Sequence, residues 1–391
     1  MSGSSRVPVD IAGIGLHPFG RFLDLTVTEM AVAAVRAALR DAEIDSTDRL
    51  GFQAAFCGTA YSGVAAGHKV LGALARTGMP IVDVEAGCAS GGAALMLAAS
   101  AIRAGQYDTV LVFGMEKMPK GIIRSSFFEP WREQAGLAAT PAYFALRAQR
   151  LMRERGLTKE HLAQVVVKNR AHGALNPDAM YQSETTVDAV LASRVVCEPL
   201  HLHMLCSPNE GAAAVVLRRG RSGPGPGSRA VRLEAAVLRS HLPGSVLGEA
   251  TPLAGIDDSD ITPPSTLAAE AAYAEAGIGP DDVDVVECQD TDAARELLGW
   301  EELGLCAPGD QAGLLASGDA RLGGARPINP SGGLLSKGEP LGASALGQVV
   351  ELTRQLRGSA GARQVAGVRT ALAHTVGRGA NASVTILTRA R

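Results

Sequence analysis

Hydrophobic positions in the N-terminal part of the chain alternate between the spacing of strands and the spacing of helices. This pattern predicts a strand at 9–14, an amphipathic helix at 26–42 and a buried strand at 81–84. It then predicts a helix of small and apolar residues at 89–104 and an apolar strand at 109–113. Strands that alternate with helices and are covered by them are typical of an α/β fold.

A more polar and aromatic segment, from about 116 to 194, interrupts this alternation. It contains helix patterns at 142–156 and 159–172, and strand spacing returns at 212–217. An insertion on an α/β sheet is typical of a lid or a ligand-binding loop region. We therefore expect this inserted segment to border a functional site.

The rest of the chain repeats the alternation, which favours two similar halves. We place their boundary near residue 250, with one half at 1–250, including the inserted segment, and the other at 251–391. The sequence Ser-Gly-Gly opens apolar stretches at 90–92 and 331–333, a faint internal echo that agrees with duplication. The elements predicted after the insertion are strands at 231–237, 283–288, 365–373 and 383–387 and helices at 265–276 and 293–304.

Composition narrows the function classes. The chain has 391 residues, a formal net charge of −3 and no long basic run, which argues against nucleic-acid binding and against a polybasic membrane patch. The start of the chain is short and polar, and no apolar stretch is long enough for a membrane span, so we expect a cytoplasmic protein. Six scattered cysteines without metal-ligand spacing predict neither a disulfide framework nor a metal site.

Cys88 is the most informative residue for chemistry. It lies among glycines between a predicted strand and a predicted helix. The free N–H groups and the positive dipole end of such a helix favour a thiolate and offer donors to an oxyanion. Cys88 is therefore a candidate acyl-accepting nucleophile. The other cysteines are interpreted mostly as small core residues: Cys57, Cys197, Cys206, Cys288 and Cys306.

Four blocks of sequence resemble the thiolase superfamily, and more closely its sterol-carrier-protein-type members. They are IAGIGLHPFGR at 11–21, VEAGCASGG at 84–92, VKNR at 167–170 with NP at 176–177, and INPSGGLLSKG at 328–338. The resemblance implies a five-layered αβαβα fold of two similar halves, usually a homodimer. It also implies that an acyl thioester, of coenzyme A or of a carrier protein, acylates Cys88 and lies against the inserted loop domain.

The chain departs from this family at other catalytic positions. Gly338-Glu339-Pro340 stands where these thiolases read Gly-His-Pro, and Gln289-Asp290-Thr291-Asp292 stands where the sterol-carrier type reads His-Asp-Cys-Phe. The second cysteine, which would take a proton from carbon, is replaced by a threonine that does not ionise near neutral pH. Ordinary thiolase activity is therefore not expected.

Two residues remain as candidate bases. Glu339 could serve an incoming acceptor, although a carboxylate beside Cys88 would raise the thiol pKa; the alternative is a solvated glutamate paired with Lys337. His374 is predicted to end a strand before a glycine turn at 375–379, where it could reach Cys88 or an acyl oxygen. The remaining histidines near the insertion are interpreted as structural: His172, His201 and His203.

The sequence thus favours an acyltransferase of lipid or secondary metabolism, with Cys88 as nucleophile, Glu339 or His374 as base, and no permanently bound cofactor. One alternative is a thiolase-like retro-aldolase that works with a small oligonucleotide/oligosaccharide-binding-like partner and uses tyrosines such as Tyr61, Tyr143 or Tyr181. Another is a degenerate subunit that only binds acyl thioesters. An acyl carrier protein is a further expected partner if the donor is a carrier-bound thioester.

Overall fold

The computed structural model of the chain describes residues 6–44, 51–121, 131, 134, 140–220, 230–242, 261–377 and 381–389. The strands are β1 Val9–Gly20, β2 Ala54–Gly58, β3 Ile81–Val84, β4 Thr109–Lys117, β5 Val195–Cys197, β6 Leu200–His201, β7 Glu210–Arg219, β8 Val231–Ser240, β9 Val285–Glu287, β10 Thr370–Gly377 and β11 Asn381–Arg389. The helices are α1 Val27–Asp41, α2 Ala66–Ala73, α3 Ser90–Arg103, α4 Thr140–Arg155, α5 Lys159–Ala174, α6 Val187–Ala192, α7 Pro264–Ala276, α8 Ala293–Glu302, α9 Gln311–Ser317, α10 Gly333–Lys337 and α11 Leu341–Arg357.

Nine strands follow one another in the order β3-β2-β4-β7-β1-β8-β11-β10-β9. In the first half β2 is parallel to β3 and β4, and β7 is antiparallel to β4 and β1. In the second half β10 is parallel to β9, and β11 is antiparallel to β10 and β8. Only Asp10 and Ile11 of β1 pair with β8, so each half has its own sheet and the two meet at a narrow seam.

Three buried cores separate the layers. Helices α1 and α2 cover the outer face of the first sheet through residues such as Met30 and Leu71. Helices α3 and α11 lie between the two sheets, where Leu95 and Leu346 share one core. Helices α7 and α8 cover the outer face of the second sheet, together with helices of the inserted segment. The five-layered αβαβα arrangement expected from the sequence is confirmed.

Local signals explain most element boundaries. Thr26 caps α1 and forms a capping box with Glu29, which is why the helix begins there. The strand at 365–373 is placed wrongly by its pattern, since β10 covers Thr370–Gly377 and ends only after His374. The strand at 81–84 lies where it is predicted, but the prediction that it is buried is wrong, because β3 is an edge strand on which Val82 and Asp83 are exposed. The domain boundary near 250 lies outside the described residues, as do parts of the inserted segment and Arg378 and Gly379 of the predicted glycine turn.

The structure also corrects the Ser-Gly-Gly comparison. Residues 90–92 open α3, one of the two central helices. Residues 331–333 instead open α10, which is only five residues long, and the second central helix α11 begins later, at Leu341. In the second half, the position that corresponds to Cys88 is therefore just before α11, near Glu339, and not near Ser331.

Candidate active site

Cys88 lies in a tight loop between β3 and α3. The Ser90 hydroxyl accepts a hydrogen bond from Ala86 N at 2.9 Å and donates to Gly87 O at 2.5 Å. Gly87 has φ of +60°, a conformation that favours glycine. Cys88 is 7% exposed and lies just before the N-terminal end of α3. The sequence predicts this position for a thiol at a helix start.

Glycines allow the N-termini of the two central helices to meet. A β-carbon on Gly91 of α3 would lie 3.1 Å from the carbonyl oxygen of Gly342 in α11, closer than most β-carbons approach a neighbour, so glycine at this position favours the close approach of the two helices. Cys88 packs against Leu341 of α11, Met118 and Ala60. The start of α11 is thus brought to the nucleophile.

Glu339 is 4% exposed and lies just before the N-terminal end of α11. Its Oε1 accepts a hydrogen bond from Gln289 Nε2 at 3.0 Å, and its Oε2 accepts one from the Cys206 thiol at 3.4 Å. The Lys337 ammonium instead pairs with Glu287 at 3.2 Å. The alternative of a solvated Glu339 paired with Lys337 is therefore wrong.

Cys206 is a member of this cluster that sequence reasoning missed. Its backbone N donates to Thr291 O at 2.9 Å, which places it beside the block that departs from the family pattern. Burial raises the pKa of the Cys206 thiol well above its usual range, and negative charge at Glu339, Asp290 and Cys88 raises it further. No local motif marks Cys206, because only tertiary contacts bring it to Glu339.

Asp290 holds the loop that carries Glu339. Its Oδ1 accepts from Leu334 N at 2.7 Å, and its Oδ2 accepts from Leu335 N at 3.1 Å and Asn169 Nδ2 at 2.8 Å. Burial raises the pKa of Asp290, and the nearby Glu296 adds to the effect. The aspartate of the Gln-Asp-Thr block thus ties α10 to the inserted segment and fixes the approach to Glu339.

His374 lies inside β10, and not at its end, with no measurable exposure. Its Nε2 is 3.0 Å from Ser265 Oγ at the start of α7, and burial lowers its pKa well below the usual range. Its strand neighbours Leu372 and Val376 belong to the outer core with α7 and α8, whereas α3 lies in the central core. The contacts of the His374 ring are therefore with the outer layer, and they do not support a role as base. That role stays a prediction.

The other histidines have structural contacts. His172 donates from Nδ1 to Asn329 O at 2.9 Å and accepts at Nε2 from Leu322 N at 3.0 Å, and burial lowers its pKa to about 3. His201 contacts Ser193 O at 2.7 Å through Nδ1. Within the described residues no group of three or more His, Cys, Asp or Glu side chains is arranged to hold a metal ion.

The tyrosines of the retro-aldolase alternative are spread out. Tyr61 is 42% exposed and follows Ala60 of the Cys88 cluster, while its backbone N donates to Glu116 at 3.2 Å. Tyr143 is buried in α4. Tyr181 lies under the Arg170 guanidinium, 4.0 Å from its ring centroid.

Comparison with known proteins gives the family. Residues 9–220 match the model of the thiolase N-terminal domain, and residues 254–389 match that of the thiolase C-terminal domain-like family. The chain belongs to the thiolase family. It is 35% identical to sterol carrier protein 2 of Gallus gallus over 400 residues, which cover 97% of this chain and 71% of the relative.

Two further relatives agree with this family. The chain is 35% identical to the benzoylsuccinyl-CoA thiolase subunit BbsB of Thauera aromatica over 381 residues, 96% of each protein. A solved structure described as an Ltp2-ChsH2(DUF35) aldolase has a TM-score of 0.82 and 24% identity, with all of both chains covered. The latter likeness shows the fold. In the described residues, no helix has the length and apolar character needed to cross a bilayer.

Proposed function

We propose that this protein is an acyltransferase that forms an acyl-Cys88 thioester and passes the acyl group to an acceptor. The observation that carries the proposal is the convergence of Cys88, before α3, and Glu339, before α11, at the meeting point of the two central helices. A nucleophile and a candidate base thereby lie at one end of the central layer. The relative BbsB, named as a subunit of a benzoylsuccinyl-CoA thiolase, supports a coenzyme A thioester as the donor. A carrier-protein thioester is the alternative donor.

The first half-reaction needs a thiol, donors for the oxyanion and a route for the proton of Cys88. The Cys88 sulfur attacks the thioester carbonyl carbon, the new carbon–sulfur bond forms, and the donor thiol leaves with a proton. The backbone N–H of Cys88 or of a neighbour, together with a glycine N–H from a loop of the second half, supplies donors for the developing oxyanion, and the dipole of α3 adds to their effect. No permanently bound cofactor takes part in these steps.

The second half-reaction needs a base for the acceptor. A hydroxyl, an amine or an electron-rich aromatic carbon attacks acyl-Cys88, and the bond from the acyl carbon to the Cys88 sulfur breaks. Glu339 takes the proton that the acceptor loses, and this proton restores the Cys88 thiol. Gln289 and Cys206 hold the two carboxylate oxygens in place. Gln289 and Thr291, which replace ionisable family residues, offer no base for a carbon acid, so transfer to a carbon next to a thioester is not proposed.

The proposal is tested by intact mass after incubation with a small panel of acyl thioesters. The expected result is a gain of one acyl mass from a cognate donor, absent in Cys88→Ser and retained in the control Cys197→Ser, whose cysteine lies in β5. The retro-aldolase and the purely binding alternatives both predict no covalent adduct. Absence of an adduct with every donor, in a folded protein, contradicts the proposed function.

A further inference from the structure

The segment 205–209 connects the two blocks that depart from the thiolase pattern. Leu205 forms an antiparallel bridge with Asp292, and Pro208 forms a parallel bridge with Glu339. Glu339 N also donates to Ser207 O at 2.9 Å. The chain between these bridges is therefore fixed on both sides, and Cys206 has a defined position in the site.

The side chain of Cys206 points to the carboxylate of Glu339. The thiol donates to Oε2 at 3.4 Å, while Gln289 Nε2 donates to Oε1 at 3.0 Å. Gln289 is itself held, because its Oε1 accepts from the backbone N of Val376. The carboxylate thus has a fixed orientation, with the Cys206 proton directed at one oxygen.

Cys206 also lies near Cys88, because its thiol contacts Glu339, and Leu341, two residues after Glu339, packs against Cys88. Unlike Cys57 and Cys288, which are fully enclosed, Cys206 keeps part of its surface exposed. A cysteine that serves only as core packing needs neither a carboxylate partner nor an opening. These features place a second thiol beside the candidate base and near the nucleophile.

We propose that Cys206 is a proton-carrying residue of the active site, which moves a proton between Glu339 and Cys88. The inference rests on the proposed acyl transfer and adds a third group to it. It also means that the site regains a second thiol from a different part of the chain, although Thr291 occupies the position of the family cysteine.

The proton balance of the transfer step is closed by this route. The acceptor attacks the acyl carbon, the bond from the acyl carbon to Cys88 sulfur breaks, and the acceptor proton passes to Glu339. Cys206 gives its proton to the departing Cys88 thiolate and is reprotonated by Glu339. Acylation runs the same path in the opposite direction, with the Cys88 proton finally leaving on the donor thiol. The raised pKa of Cys206 keeps its proton in place between turnovers.

The pairing of Cys206 with Glu339 is tested first without any acyl donor. Iodoacetamide labelling at pH 8, followed by peptide mass, gives the alkylation rate of each cysteine. In Glu339→Gln the negative charge is lost, so the Cys206 thiol pKa falls and its alkylation rate rises several-fold. The exposed Glu184→Gln serves as the matched control and leaves the rate unchanged. An unchanged Cys206 rate in Glu339→Gln overturns the pairing.

The catalytic part is tested by single-turnover kinetics on Cys206→Ala, Cys206→Ser and the control Cys197→Ala. Alanine is expected to slow both acylation of Cys88 and transfer by about tenfold or more, the scale of a lost acid–base group. Serine can still donate to Glu339 but cannot hold the negative charge that a thiolate holds, so it is expected to remain slow. If Cys206→Ser reacts at the wild-type rate, Cys206 only orients Glu339, and the proposal is overturned. A wild-type rate in Cys206→Ala overturns the proposal as well.

The two failures can be distinguished. If no acyl-Cys88 forms in the wild-type protein, the proposed function fails, while the labelling experiment still decides the contact between Cys206 and Glu339. If acyl-Cys88 forms and is consumed equally fast in all three variants, only the inference about Cys206 fails. Thermal unfolding of each variant confirms that a slow protein is a folded one.

Discussion

Gly377→Ala is predicted to damage the nucleophile loop although residue 377 carries no reactive group. Gly377 ends β10 against the loop that carries Cys88. A β-carbon built at Gly377 lies 3.1 Å from the carbonyl carbon of Ala86 and 3.3 Å from the Ala89 β-carbon, with the Ala86 oxygen nearer still. Carbon atoms normally pack about 3.5–4.0 Å apart, so the loop must withdraw by about 1 Å.

The loop cannot absorb this shift freely, because the Ser90 hydroxyl ties Ala86 N and Gly87 O together. Overpacking of this kind costs about 1–3 kcal/mol of unfolding free energy. A displacement of about 1 Å at a reacting group costs about a hundredfold in rate, so acylation of Cys88 should fall by that order. The rate is measured by rapid-quench intact mass, and the stability by urea unfolding.

The matched control is Gly313→Ala in α9, where, apart from the neighbouring residues and the backbone of the same helix, no atom lies within 4 Å of the added carbon. This variant should acylate at the wild-type rate and gain slightly in stability, because alanine is the better helix former. Acylation of Gly377→Ala at nearly the wild-type rate would refute the packing argument for the Cys88 loop.

Three further predictions follow from the same structure. Thiolysis of acetoacetyl-coenzyme A should be near background, since Gln289 and Thr291 supply no base for a carbon acid, and robust thiolysis would show that another residue has taken over. The chain should be a homodimer by light scattering at micromolar concentration, because β3 is an edge strand on which Val82 is 41% exposed. The variant Val82→Lys should give monomers, and a monomeric wild-type protein would contradict this prediction. His172 has a folded-state pKa of about 3, below its unfolded value, so its contribution to stability is present above pH 6.5 and falls by about 1.4 kcal/mol per pH unit below it. Urea unfolding between pH 6.5 and 5 measures how the free energy of unfolding depends on pH, and in His172→Gln this dependence should be weaker by about one proton than in the wild-type protein. The same dependence in both proteins would contradict a buried neutral His172 ring.

The fold was largely predictable because its signals are local. The strand at Ile81–Val84 and the small-residue helix that follows it are set by hydrophobic spacing, and Thr26 marks the start of α1. The position of Cys88 before a helix was predictable for the same reason, since a glycine-flanked cysteine at a helix start is visible within a few residues of sequence. The four matching blocks then indicated the layered architecture.

The rest of the site depends on contacts between distant parts of the chain. Cys206 approaches Glu339 across 133 positions, and no spacing rule connects them. The position of His374 was misjudged because the polar Thr375 follows it, whereas backbone pairing with β11 extends the strand to Gly377. The partner of Lys337 was also missed, since Lys337 lies in α10 and Glu287 lies in β9. Local pattern identifies residues that begin or end elements, but it does not identify which elements meet.

The central claim is that Cys88 carries the acyl group during turnover. The most direct measurement is a rapid-quench experiment with an isotope-labelled acyl thioester, followed by peptide mapping of all six cysteines. The account predicts that the label appears on Cys88 alone, before any product, and disappears at the turnover rate when an acceptor is added. Label on Cys206 or Cys288 instead, or product formed while Cys88 stays unlabelled, would contradict it.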